Sequence, residues 1–105
     1  MKISIGADHG GVALREALSK ALREQGHEVI DHGTYSTESV DYPDFSSLVG
    51  EDVNSGRADF GVLVCKTGIG MTIAANKIHG IRAALIHFAE EAALCRQHNN
   101  ANVIV

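Results

Sequence analysis

The sequence predicts an α/β fold: a three-layer αβα sandwich around a parallel sheet of about five strands, with Rossmann-like topology. Short apolar runs alternate with stretches of helical periodicity along the whole chain, a pattern typical of right-handed βαβ units. The apolar run Phe60–Cys65 contains no alternating polar residues, as expected for a strand covered on both faces. With 105 residues, the chain has the size of one domain.

The first half of the chain predicts two strands, each followed by a helix. Residues 3–6 form the first strand, and the turn-forming cluster Asp8–Gly11 follows it. Apolar residues at helical spacing predict a helix that ends at Gly26, with a buried face of Leu14, Ala17, Leu18, Ala21 and Leu22.

A second strand at residues 29–30 leads through a polar loop to a second helix. Asp41 can cap this helix, and Pro43 suits its first turn. Its predicted buried residues are Tyr42, Phe45, Leu48, Val49 and Val53.

The second half of the chain repeats the alternation. After the strand Phe60–Cys65, a glycine-rich loop at 66–70 leads into a short helix through residues 73–77. A fourth strand is predicted at Ile81 and 83–86. A helix from Phe88 to His98 and a fifth strand at 102–105 complete the fold.

Composition and charge exclude several classes of protein. The net charge of −4 comes without a basic stripe, which argues against a nucleic-acid or anionic-membrane partner. The two cysteines, Cys65 and Cys95, form no CxxC pair, so neither a disulfide scaffold nor a zinc ribbon is indicated. No apolar stretch approaches the roughly 18 residues that span a bilayer. We therefore expect a soluble, cytoplasmic protein.

Four segments are expected beyond the carboxyl ends of the strands, where parallel sheets bind ligands: Asp8–Gly11, His32–Tyr42, Cys65–Gly70 and His87. Cys65 precedes a helix N-terminus and a cation, Lys66, and both favour a thiolate. By itself Cys65 is better explained as a packed, small apolar residue that ends a strand, but Thr67 and the glycines that follow favour a reactive thiol. Met71 stands where a Cys-x5-Arg phosphate loop needs arginine, and no Walker A loop or metal-binding His-x-x-x-His is present.

Taken together, the chain resembles the ribose-5-phosphate isomerase B and galactose-6-phosphate isomerase family. The resemblance covers nearly the whole chain. Its matching segments are 6–11, 33–35, 41–43, 65–71, 74–77, 80–83 and 96–103.

The resemblance implies a metal-independent aldose–ketose isomerase, without a cofactor, that acts through an enediolate. By position Cys65 matches the base. The groups that stabilise the enediolate are matched by Thr67 and the loop amides of Gly68, Ile69 and Gly70. His98 matches the ring-opening acid/base, oriented by Asp41. The matching substrate contacts are Asp8, His9, Tyr42 and Asn99. It also implies a phosphorylated sugar as substrate, ribose 5-phosphate first, and a homodimer or a dimer of dimers.

Two departures from the family pattern leave alternatives open. The family usually has glycine at the position of Lys66. If the backbone has a positive φ there, the lysine would cost roughly 1 kcal/mol or more. If φ is negative, the lysine ammonium can favour the thiolate or reach the substrate. Residues 1–105 are expected to form one isomerase domain without the C-terminal helical segment that family members carry. The alternative functions are a non-catalytic sugar-phosphate binding relative, an inactive subunit of a hetero-oligomer and, with least support, a thiol-redox protein.

Overall fold

The computed structural model describes residues 1–32 and 42–105, the first three of the second part by their backbone alone. Strands and helices alternate in chain order, as predicted. They are β1 (Lys2–Ala7), α1 (Val12–Glu24), β2 (Glu28–Asp31), α2 (Tyr42–Ser55), β3 (Phe60–Val64), α3 (Ile69–Asn76), β4 (Ala83–Ala84), α4 (Ala89–Asn99) and β5 (Val103–Ile104), with a 3-10 turn (His9–Gly11) before α1.

The five strands form one parallel sheet in the order β2-β1-β3-β5-β4. The chain passes from β1 outward to β2 and then returns to place β3 on the other side of β1. The predicted α/β fold with a parallel sheet is therefore confirmed. Because the direction of strand addition reverses between β1 and β3, their carboxyl ends form the switch point at which such sheets bind ligands.

Each face of the sheet has its own apolar core, because successive side chains of a strand point to opposite faces. On one face, Leu63 and Val103 pack against Val49 of α2 and Met71 of α3. The core on the other face contains Ile3, Ile5, Ala7, Val62 and Val64, with Leu18 and Leu22 of α1 packed against it.

The inner face of α1 differs from the predicted one. Leu14 is 55% exposed, whereas Arg15 is completely buried. The guanidinium of Arg15 forms an ion pair with Asp31 at the end of β2, and the Ser19 hydroxyl donates to the same carboxylate at 3.3 Å. A buried charge is tolerated when it is paired and hydrogen-bonded, so α1 is rotated by about one residue from its most apolar orientation.

Two smaller predictions were also wrong. Leu48, assigned to the buried side of α2, is 41% exposed. Ile81 is buried but precedes β4, which contains Ala83 and Ala84 alone; its N–H donates to the Ile78 carbonyl in a turn at 3.1 Å. The predicted helix cap at Asp41 lies outside the described residues.

Among the described residues, no helix combines the length and the apolar character that crossing a membrane requires.

Candidate active site

Cys65 directly follows β3, and its sulfur is held by the loop that comes after it. The Gly68 N–H donates to the Cys65 Sγ at 3.0 Å. Gly68 has φ +80° and forms the cap of α3. A Cβ at Gly68 would lie 2.3 Å from a methyl group of Leu85, so glycine is required here for both conformation and space. This glycine therefore allows an amide to face the thiol.

Thr67 and Thr72 hold the same loop through their side chains. The Thr67 Oγ accepts the Ile69 N–H at 3.2 Å, and the Thr72 hydroxyl donates to the Gly68 carbonyl at 2.6 Å. Two of the three predicted oxyanion donors, Gly68 and Ile69, thus already donate within the loop. The third predicted donor is the amide of Gly70, the second residue of α3.

Asp8 lies beside this loop because β1 and β3 are neighbours. The Asp8 N–H donates to the Val64 carbonyl at 3.1 Å, and its Oδ1 accepts the Gly10 N–H at 2.9 Å. A Cβ at Gly11 would lie 2.7 Å from Val64, so the turn can pack this closely only with glycine. The turn also presents His9, which is exposed, at the same edge of the sheet.

A cavity of about 310 Å³ opens at this edge. Its polar wall contains Cys65, Lys66, Thr67, Gly68 and His87. The rest of the lining is apolar and comes from α1, β3, β5 and the segment after β4: Leu14, Leu18, Val62, Leu63, Val64, Leu85, Ile86, Ile104 and Val105. Cys65 is thus partly accessible at a formed cavity, as a reacting group needs to be.

His98 and Asn99 lie at the opposite edge of the sheet from Cys65. α4 starts after β4 ends and finishes before β5 begins, so it runs back from the edge where strands end to the edge where they begin. The Arg96 guanidinium lies 5.3 Å from the ring centroid of Phe60, the first residue of β3. With 11 residues rising about 1.5 Å each, α4 spans roughly 16 Å. A single copy of the chain therefore does not bring His98 to Cys65.

Asp41 and the side chain of Tyr42 lie outside the described residues. Of the other predicted site residues, the structure brings together those that follow β1 and β3: Asp8, His9, Cys65, Thr67, Gly68, Ile69 and Gly70.

Sequence reasoning missed a buried polar cluster around Asp52 of α2. Burial opposes ionisation of this carboxyl, but hydrogen bonds from His32, Ser4 and Arg57 outweigh it and lower the pKa of Asp52 below its usual value. The hydroxyl of Ser4 donates at 2.8 Å, and so does Nε of Arg57. His32 follows β2, so the cluster ties the end of that strand to α2. The only signal in the sequence was a serine between two isoleucines of an otherwise apolar strand.

The comparisons with known proteins agree with the family resemblance. A model of the ribose/galactose isomerase family matches residues 3–105. Ribose-5-phosphate isomerase B of Escherichia coli is 48% identical over 103 residues, which cover 98% of this chain and 69% of that protein. A galactose-6-phosphate isomerase subunit, LacB of Clostridium acetobutylicum, is 45% identical over 104 residues, which cover 99% and 60%.

Solved structures show the same similarity. The structure of a ribose 5-phosphate isomerase from Thermotoga maritima superposes with a TM-score of 0.97 at 54% identity, and the match covers 99% of this chain and 72% of that one. The type B ribose 5-phosphate isomerase of Trypanosoma brucei gives a TM-score of 0.92 at 50% identity, with 98% and 70% covered.

Proposed function

We propose that this chain, which belongs to the ribose/galactose isomerase family, interconverts an aldose phosphate and a ketose phosphate, with ribose 5-phosphate and ribulose 5-phosphate as the first pair to test. The observation that carries the proposal is the placement of Cys65 at the switch point of the sheet, with its sulfur facing the Gly68 amide at 3.0 Å. Residues 1–105 are proposed to act as one isomerase domain.

Cys65 is proposed as the base. Its thiolate removes the proton from C2 of the open-chain aldose, and the electron pair of that C–H bond forms the C1–C2 double bond. The carbonyl π electrons move to O1, which gives an enediolate. After a proton moves from O2 to O1, the C2 carbonyl forms and the Cys65 thiol returns its proton to C1. The reaction is redox-neutral, and therefore it needs no electron acceptor.

The loop after Cys65 is proposed to stabilise the charged states of this cycle. The Gly68 amide donates to the Cys65 sulfur at 3.0 Å and so holds it in place. The Gly70 amide at the N-terminus of α3 and the Thr67 hydroxyl are suited to the developing oxyanion. Ile69 helps to hold the loop by donating to Thr67, so its amide is assigned a structural part.

Ring opening is assigned to His98, oriented by Asp41, with Asn99 as a hydroxyl contact. Because His98 and Asn99 of one copy lie at the edge opposite to Cys65, we assign them to a second copy of the chain. The active site then lies between the carboxyl ends of the strands in one copy and the end of α4 in the other. A two-fold dimer forms two such sites, since each copy presents both surfaces.

The remaining substrate contacts are proposed from the first copy. Asp8 and Tyr42 contact sugar hydroxyls, and His9 contacts the sugar and its phosphate. Asp8 is suited to this task because one of its carboxylate oxygens is held by the Gly10 amide at 2.9 Å, which fixes the direction in which the group points.

The proposal is tested by following the interconversion of ribose 5-phosphate and ribulose 5-phosphate in a coupled assay. Replacing Cys65 by Ala is expected to lower kcat by about 10²–10⁴-fold, the usual contribution of a positioned base. Cys95→Ala is the matched control, since Cys95 is buried in α4 and its thiol donates to the Ala92 carbonyl at 3.2 Å. Full activity of the Cys65→Ala variant, with its circular dichroism unchanged, would show that Cys65 is not the base.

The non-catalytic alternative predicts a different result in the same experiments. Calorimetric binding of ribose 5-phosphate without turnover by the wild-type protein would favour it over the isomerase.

A further inference from the structure

The cavity beside Cys65 is unusual in its charge. Although the chain has a net charge of −4, no Asp or Glu side chain is present among the described residues that line this cavity. The lining residues with titratable side chains are Cys65, Lys66 and His87. Two of these three groups can carry positive charge, so the cavity is suited to an anionic ligand.

Lys66 follows Cys65 and packs against the turn that follows β1. A Cβ at Gly10 would lie 3.2 Å from the Lys66 Cβ, so Lys66 lies directly against the turn that follows β1. Its φ is negative, because Asn100 is the one described non-glycine residue with positive φ. The lysine is therefore accommodated without backbone strain, and the alternative of a strained residue at this position is excluded.

The ammonium of Lys66 is exposed, and no carboxylate in the described part of the chain lies within ion-pair distance of it. The carboxylate of Asp8, at the end of the adjoining strand, accepts the Gly10 amide through its Oδ1. A flexible lysine with a fully hydrated charge is the kind of residue that binds phosphate as a point charge.

His87 approaches the same cavity from the segment after β4. The His87 and Phe88 amides donate to Glu91 Oε1 at 2.9 and 3.2 Å, which fixes the backbone at the start of α4. The ring Nδ1 lies 3.8 Å from the same carboxylate oxygen. Glu91 itself is not part of the cavity wall, so it can pair with a protonated His87 without placing its own charge against a bound anion.

We propose that Lys66 and His87 bind the phosphate group of the substrate at the mouth of the Cys65 cavity. The identity of that substrate rests on the proposed isomerase function, whereas the anion site itself can be tested without turnover. With C2 of the sugar at the Cys65 sulfur, the phosphate of an extended five-carbon substrate would then lie toward Lys66 and the turn that carries His9. Lys66 would thereby select phosphorylated over unphosphorylated sugars.

The first test is a titration of the wild-type protein with inorganic phosphate, followed by ¹H–¹⁵N NMR. The proposal predicts saturable shifts of the Lys66, Gly68 and His87 amides. Lys66→Gln is expected to weaken this binding about tenfold or more, as loss of a charge-assisted hydrogen bond does, and Lys66→Arg to retain most of it. Lys20→Gln is the matched control, because Lys20 is exposed on α1 and pairs with Glu24 at 4.0 Å.

Absence of phosphate binding in the wild type would overturn the proposal, as would equal affinities of the wild type and Lys66→Gln, or an equal loss in Lys20→Gln. The second test uses turnover: Lys66→Gln and His87→Gln should each raise the KM for the sugar phosphate with a smaller change in kcat. An unchanged KM in an active enzyme overturns the phosphate site and leaves the isomerase standing. If phosphate binding depends on Lys66 but the protein shows no turnover, the phosphate site stands and the isomerase function is overturned.

Discussion

The two edges of the sheet carry different halves of the predicted chemistry. At the edge where strands end, Gly68 is held at positive φ against Leu85 and directs its amide to Cys65. At the edge where strands begin, the chain presents the last turn of α4 with His98. The first edge has a formed cavity, whereas His98 is exposed at the end of a helix. The comparison teaches that this fold separates the proposed base from the proposed ring-opening group, so the proposed site is complete only if two copies combine opposite edges.

The largest effect is expected from Gly68, and a glycine at the other edge, Gly56, serves as its control. Gly68→Ala should lower kcat by 100-fold or more, on the order of the loss of a main electrostatic group, because the new Cβ would lie 2.3 Å from Leu85 and displace the loop. Gly56 has φ +81° at the other edge but nothing within 4 Å of a Cβ. Gly56→Ala should therefore cost only about 1 kcal/mol of stability and leave kcat unchanged. Steady-state kinetics and thermal unfolding measure both, and equal kcat values for the two variants would contradict the assigned role of the loop.

The next effect concerns Asp52, which lies between the edges and joins Ser4, His32 and Arg57. Asp52→Asn should cost about 1–3 kcal/mol of unfolding free energy at neutral pH, since it removes the charged acceptor of the hydrogen bonds from Ser4, His32 and Arg57. Asp59→Asn is the control, because Asp59 is exposed and its carboxylate accepts one amide, from Lys2, at 2.8 Å.

The Asp52 effect should also depend on pH. Because the pKa of Asp52 is lowered on folding from its usual 3.8, its contribution is fully present above that value and is lost as the pH falls through the folded pKa. The difference in unfolding free energy between wild type and Asp52→Asn should thus shrink below about pH 4. Denaturant unfolding between pH 7 and pH 2 checks this, and a difference that grows toward low pH would contradict it.

The smallest effect on kcat is expected from the Thr67 hydroxyl, and a hydroxyl at the other edge, that of Ser55, serves as its control. Thr67→Ala should lower kcat about tenfold, because it removes the acceptor of the Ile69 amide and a proposed oxyanion donor, whereas Thr67→Ser should retain most of the activity. The hydroxyl of Ser55 makes the corresponding contact at the other edge, where it accepts the Arg57 N–H at 3.4 Å. Ser55→Ala should be as active as the wild type. An equal loss in both variants would mean that the loss reflects stability rather than the site.

Much of this arrangement could be predicted from the sequence. The alternation of apolar runs and helical stretches predicted the parallel sheet, and the rule for carboxyl ends of strands placed Asp8, Cys65 and His87 at one edge. The position of His98 follows from the same topology, since a helix between two parallel strands ends where the next strand begins.

Other features depend on tertiary contacts that a local pattern does not contain. Arg15 is polar by type and is not part of the apolar face that helical periodicity predicts, yet its partner Asp31 lies at the end of another strand and makes burial favourable. The Asp52 cluster likewise joins Ser4 of β1 to a helix that comes 48 residues later in the chain.

Complementation between two inactive variants tests the shared site most directly. Cys65→Ala and His98→Ala are each expected to be inactive alone. When the two are co-expressed with different tags and the mixed species is isolated, one of its two sites combines an intact Cys65 with an intact His98. The isolated mixed dimer should therefore recover about half of the wild-type kcat. If no activity returns in that mixed species, while both variants are folded and associated, Cys65 and His98 do not form one site across two copies.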